Sequence, residues 1–267
     1  MTRSVHIQIC GRMSISGPLG VTDQRGLSGA IGRQMLAFLV VTHGPVGRYE
    51  LIDVIWGGQP TSAVDSTVNA TVSRLRTTIA HVGGTADAML NEQGLIQLDG
   101  RYITSDFHTA LRSIDRCVPS LTRGDYPQAW AHAATAYSIA SRRFLPGIEN
   151  EWADARRDHL HHIICRSLAV VALTAIARAR PQDAIFAARE LVRNEPHSDR
   201  AVQILVSALL SAGDRGASRV AVHDWASRLQ SELGVLPDDH TLDALDQVIN
   251  RRSQNVIDVT ELIPLAL

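Results

Sequence analysis

The chain has 267 residues, enough for one large domain or two ordinary ones, and two is the starting expectation. Hydrophobic residues make up 45% and charged ones 20%, a balance that excludes a disordered chain. The 26 basic residues, all arginine, against 27 acidic ones exclude a protein that holds nucleic acid by bulk positive charge, so any DNA contact must be local.

Val5 to Ile15 alternates apolar and polar residues as a half-buried strand does, and Gly17-Pro18-Leu19-Gly20 then turns the chain. Ser28 can cap a helix that buries Ile31, Met35, Leu36, Leu39 and Val40 and stops at Gly44-Pro45. A short helix follows over Arg48 to Trp56, burying Leu51, Ile52 and Ile55. The loop Gly57-Gly58-Gln59-Pro60-Thr61 breaks it.

From about Ala63 to Ala80 the pattern predicts a third helix. Val68, Val72, Leu75 and Ile79 form its core stripe, while Ser66, Asn69, Ala70, Ser73, Arg74 and Thr77 lie on the opposite and flanking faces. That second face is small, polar and suited to a groove. Met89-Leu90 and Leu95 to Leu98 flank Asn91-Glu92-Gln93-Gly94, Tyr102-Ile103-Thr104 follows Asp99-Gly100-Arg101, and together these stretches read as a β-hairpin wing.

Beyond Asp106 the periodicity is helical almost throughout, to about Ile249. Ala184 and Ala217 open two similar helices 33 residues apart, close to the ~34-residue tetratricopeptide period. The expected architecture is therefore mainly α: a winged helix-turn-helix over residues 1–104, an all-α tetratricopeptide-like domain over 105–250, and an unassigned tail over 251–267.

No apolar run approaches the roughly 20 residues that a membrane span requires, and the N-terminus has no signal-peptide pattern, so a cytoplasmic protein without membrane contact is expected. Cys10, Cys117 and Cys165 form no CxxC pair and read as buried hydrophobes. His159 and His162 share a helix face but supply two ligands where a metal site needs three or four. No phosphate-binding loop or nucleophile motif occurs, so neither a cofactor nor catalysis is expected.

The order of these parts resembles the Streptomyces antibiotic regulatory protein (SARP) family, which joins an OmpR-type winged helix to a bacterial transcriptional activation domain. In the first part the resemblance is carried by Arg33 to Ala37, Glu50 to Gly57 with Pro60, and Thr71-Val72-Ser73-Arg74-Leu75-Arg76. In the second it is carried by Glu151 to Arg156, Ala184 to Pro196, Gly213-Asp214-Arg215 and Leu229 to Pro237. The resemblance implies that the third helix enters the major groove and that the protein binds direct repeats upstream of promoters. It further implies dimerisation and contact with RNA polymerase. In the wing, Gln93 to Leu98 departs from the family's Gly-Gly-Tyr-Arg-Leu-like stretch.

Within this frame Arg74 is the base-reading candidate, since a guanidinium can pair bidentately with guanine; a phosphate clamp is the alternative. Asn69 can read adenine, and Ser66, Ser73 and Thr77 offer shorter contacts. Arg76, at the edge of the core stripe, reaches a phosphate or an internal acid such as Asp53. Arg33 and Arg48, near the starts of their helices, are phosphate anchors or solvated surface residues. Arg101 is the basic residue of the wing. Residues 1–110 hold eight arginines and eight acids, which keeps a second function open: a helical protein-interaction scaffold whose winged helix no longer binds DNA strongly.

Overall fold

A computed structural model of the chain describes residues 4–27, 29–57, 62–250 and 257–266. Two compact units emerge, one formed by Met1–Ala110 with Ile139–Leu160, the other by Leu111–Ser138 with His161–Leu267. The division thus falls inside three helices.

In the first unit, β1 (Val5–Gln8), β2 (Ser14–Gly17) and β3 (Gly20–Asp23) precede α1 (Gly29–Thr42), β4 (Val46–Gly47), α2 (Arg48–Trp56) and α3 (Ser62–His81). Then come β5 (Met89–Glu92), β6 (Leu95–Leu98) and β7 (Ile103–Ser105). The alternating stretch from Val5 to Ile15 is not one strand. Gly11, at φ 84°, turns the chain so that β1 and β2 pair antiparallel with Ile7 opposite Ile15. The turn at Gly17 to Gly20 forms as expected, and β3 completes that meander. The Ser28 cap and most of the loop after Trp56 lie outside the described residues.

Two small sheets result, one ordered β3-β2-β1-β7 and the other β4-β6-β5. Only β5 and β6 make the hairpin wing, joined through Gln93 and Gly94 with φ of 52° and 79°, the left-handed pair a two-residue hairpin turn demands. The third apolar stretch expected in the wing leaves it. As β7 it runs parallel to β1, with Val5 beside Ile103. A further strand, β4, pairs with β6 although only two residues long, a length at which no alternation can show.

The core stripe of α3 is buried: Val68 and Leu75 are fully covered, and Val72 and Ile79 nearly so. Met35, Leu36 and Leu39 of α1 and Leu51 and Ile52 of α2 are buried with them, each worth about 2 kcal/mol on removal from water. Ile31 and Ile55, expected inside, are only half-buried. At the end of α3, Gly83 lets the chain pass close to Leu19, and Gly84 lets it pass close to its own helix. A Cβ on Gly84 would lie 2.5 Å from Ile79 Cγ2 and 2.8 Å from Ile79 O.

Asp106, 4% exposed, anchors the end of this unit. Its carboxylate accepts the backbone N–H groups of Ile9 (2.9 Å), Cys10 (3.0 Å) and Phe107 (2.8 Å). Burial nevertheless outweighs these bonds and raises its pKa above the ordinary carboxylate value. Phe38, Phe107, Phe144 and Trp152 pack as a chain of tilted and edge-on rings, with centroid separations of 5.2 to 6.3 Å.

The remaining helices are α4 (Asp106–Thr122), α5 (Tyr126–Ala140), α6 (Glu151–Ala177), α7 (Pro181–Asn194), α8 (Asp199–Ser211), α9 (Arg215–Arg228) and α10 (Asp239–Asn250). The boundaries between the two units run through α4, α5 and α6. By length and composition α6 could cross a membrane, but 67% of its apolar window is buried in the fold, as in a central core helix. Helices α7 and α9 begin 34 residues apart, at Pro181 and Arg215, so the expected repeat spacing appears between helix starts. Pro181 opens α7, and the Asp214 carboxylate caps α9 by accepting Ala217 N–H at 2.8 Å. Val202 and Val206 of α8, Trp225 of α9, and Leu245 and Ile249 of α10 form one buried cluster.

Within the tail, residues 257–266 have structure. Helix α11 (Val259–Leu262) leads into a 3-10 turn, Ile263–Ala266, that packs on α8 and buries Ala266 completely. All three cysteines are buried free thiols. Desolvation raises the pKa of Cys117 to about 11 and that of Cys165 to about 12, and it pushes Cys10 up as well, so all three stay protonated and inert near neutrality.

Candidate nucleic-acid interface

Ser66, Asn69, Ser73, Arg74 and Thr77 are exposed along α3, opposite or beside the stripe that seats it. The helix carries one acidic residue, Asp65, in its first turn. That acid is answered from α2. Arg48 donates from Nε to Asp65 Oδ1 at 2.6 Å and from Nη2 to Asp65 O and to Asn69 Oδ1, both at 2.9 Å.

Arg48 is therefore a brace between α2 and α3, with its side chain 22% exposed. Its backbone N–H is also engaged, with Gly94 O in the turn of the wing at 3.2 Å. Asn69 keeps its amide N–H groups, but its Oδ1 already accepts from Arg48, and bidentate adenine reading needs both ends of the amide. Sequence reasoning placed these two residues near DNA without seeing that they hold each other. The signal available was Asp65 itself, one turn before Asn69.

Arg74 is exposed, and its Nε donates to Ala70 O at 3.2 Å within its own helix. No described carboxylate pairs with it. The hydroxyls of Thr77 and Thr78 donate to Ser73 O and Arg74 O, which holds those side chains along the helix surface.

Within the fold Arg76 bonds to a backbone carbonyl and not to Asp53. Its Nε donates to Met89 O at 2.9 Å, tying α3 to the first strand of the wing. Arg101 closes on Asp99 through Nε and Nη2, at 2.6 Å for the shortest contact, and its guanidinium also lies 5.5 Å from the Tyr102 ring centroid. The pair holds Asp99 below the usual carboxylate pKa. The wing tip itself presents Glu92, Gln93 and Leu95, all exposed. Arg33 is half-buried on α1, apart from the α3 residues in sequence and in element. Tyr49, 75% exposed in the first turn of α2, is a further candidate that hydrophobic patterning did not single out.

The five arginines named from sequence thus divide. Arg48 and Arg101 are committed to carboxylates, Arg76 to a backbone carbonyl, Arg33 lies half-buried on α1, and Arg74 stands on the exposed α3 face. Such a face can insert into a groove without an acid opposing the phosphates, because the one carboxylate of α3 is already neutralised.

Comparison with known proteins gives an independent result. The model of the family described as "Bacterial transcriptional activator domain" matches residues 105–250. A solved structure of Mycobacterium tuberculosis EmbR in complex with a low affinity phosphopeptide is similar in fold, with a TM-score of 0.85 at 20% identity, covering 99% of this chain and 69% of that one. No curated protein matches. Since the matched residues make up more than half of the chain, it belongs to the bacterial transcriptional activator domain family, as a transcriptional regulator of the SARP type.

Proposed function

We propose that the chain is a sequence-specific, cytoplasmic DNA-binding regulator, an activator that acts without enzymatic chemistry. Helix α3 reads the major groove of direct repeats upstream of promoters, and the helical domain supports a homodimer and contacts RNA polymerase. The observation that carries this reading is the exposed α3 face, Ser66 to Thr77, which bears no acid and whose neighbour Asp65 is paired with Arg48.

On this reading Arg74 makes the base contact, while Ser66, Ser73 and Thr77 lie against bases or phosphates. Asn69 contributes donors from Nδ2. Arg33, Arg76 and Arg101 serve the phosphate backbone with whatever N–H groups their internal bonds leave. Arg48 positions the helix instead of anchoring DNA.

Fluorescence anisotropy with the gene's own upstream region tests the proposal. Affinity should fall steeply between 50 and 200 mM salt, because each neutralised phosphate contributes about 0.9 to the salt slope. Arg74→Ala should weaken a specific site by about tenfold or more, and random DNA far less. Equal losses on both DNAs would take base readout away from Arg74.

A second reading draws on the same arginines. With Arg48 and Arg101 paired to acids, and eight arginines against eight acids over residues 1–110, the winged-helix segment lacks a strong basic excess, as expected of a scaffold that binds proteins. Salt-insensitive or absent DNA binding by well-folded protein would favour it.

A further inference from the structure

The helical unit holds an opening that DNA recognition does not use. Between α7, α8 and α9 lies a cavity of about 380 Å3, within the ~300–1,000 Å3 typical of small-ligand clefts. It exists because α9 presents alanine at 217 and 221, one turn apart, where larger side chains would close the gap.

The lining is chemically divided. Val202, Leu205 and Leu209 of α8, each at most 8% exposed, and Trp225 of α9, 4% exposed, give one apolar wall. Val220 stands at the cavity 58% exposed, an apolar side chain without cover. The charged members are Arg189 of α7 and Asp224 and Arg228 of α9, two guanidinium groups against one carboxylate. Among the described residues Arg228 makes a long ion pair with Glu232, at 3.8 Å. The Trp225 indole N–H, in the wall, is buried without an acceptor among the described residues.

From this division we infer that the cavity binds a small amphipathic carboxylic acid, a ligand class for a site that the DNA-binding reading leaves empty of purpose. The apolar body lies on the Val202, Leu205, Leu209 and Trp225 wall, where each CH2 removed from water contributes about 0.8 kcal/mol. The carboxylate meets the guanidinium groups of Arg189 and Arg228, donors that an acid engages by charge-assisted hydrogen bonds and an alcohol does not. Because the walls come from successive helices of the repeat, an occupant joins α7, α8 and α9 and stabilises the folded chain by mass action.

Decanoate, kept below its micellar concentration, and decanol, kept below its solubility limit, titrated into the full chain, provide the test, read by tryptophan fluorescence and by Tm. Decanoate should give a saturable fluorescence change and raise Tm, with decanol at least about tenfold weaker. The double variant Arg189→Ala/Arg228→Ala should weaken decanoate by about tenfold or more and bring it level with decanol. Trp225→Phe should abolish the fluorescence change while keeping the Tm shift, and Ala221→Phe should abolish both by filling the cavity. Should Ala221→Phe fail to fold, the arginine pair, which is at the surface, decides the matter alone. Equal affinity for acid and alcohol, unchanged binding by the arginine variant, or no saturable decanoate binding would overturn the inference.

Discussion

Replacing Arg48 with alanine removes three hydrogen bonds that join α2 to α3, two to Asp65 and one to Asn69. The ion pair is half solvated, Asp65 being 51% exposed, so it is held to the ~0.2–1 kcal/mol of exposed pairs. The bond to Asn69 Oδ1 adds about 0.5–1.5 kcal/mol, for a combined loss near ~1–2 kcal/mol. At a urea dependence of about 2–3 kcal/mol per molar, the unfolding midpoint should drop by roughly 0.5 M. Asp65→Ala should cost less, because Arg48 keeps Asn69 and the backbone carbonyl of residue 65. The double variant should show a coupling of about 0.5 kcal/mol or more between the two residues. In DNA titrations Arg48→Ala should weaken specific and random sites about equally, since it loosens the seating of α3 and removes no base contact. The reasoning is refuted if Arg48→Ala leaves the midpoint unchanged, or if the two substitutions add without coupling. Either result would mean that Arg48 is a solvated side chain, available to phosphate after all.

Asp106→Asn should destabilise the first unit by about 1–3 kcal/mol, because one of the N–H groups now bonded to its two oxygens loses its acceptor. Since burial raises the folded-state pKa, the native chain holds this proton more tightly than the unfolded one, so Asp106 lowers stability as pH rises from 3.8 through the raised value. Unfolding midpoints across acid pH should therefore show a less negative slope in the asparagine variant than in the wild type; parallel curves would contradict the assignment. Gly84→Ala drives a methyl group against Ile79 and Val5, at 2.5 to 2.9 Å, and should cost about 1–3 kcal/mol, measured by urea unfolding. Gly94→Val places a β-branched residue at φ 79° in the wing turn and should loosen the hairpin, seen as faster amide exchange over residues 89–98, with the core of the helical unit unaffected.

Local chemistry by itself determined much of this protein. The four-three-four spacing of Val68, Val72, Leu75 and Ile79 specifies a helix buried on one side, and the bounds of α2 follow from its apolar pattern and from Gly57, which ends it at φ 65°. Helical periodicity beyond Asp106 and the near-34-residue spacing likewise need no tertiary information, because a helix buries its stripe whatever covers it. Tertiary structure decided which strand meets which. Periodicity marks Ile103 as strand-like but cannot choose between the neighbouring wing and β1, nearly a hundred residues away, and the long-range parallel pairing wins. The candidate site divides in the same manner. Residue type and spacing place Arg74, Asn69 and Ser73 on one exposed side of α3. Only the packing of α2 and the wing against α3 reveals that Arg48 spends its guanidinium on Asp65 and Asn69, and Arg76 on Met89 O. An arginine reads alike in sequence whether it faces solvent or an internal acceptor, since its hydrogen-bond partners come from other elements of the fold.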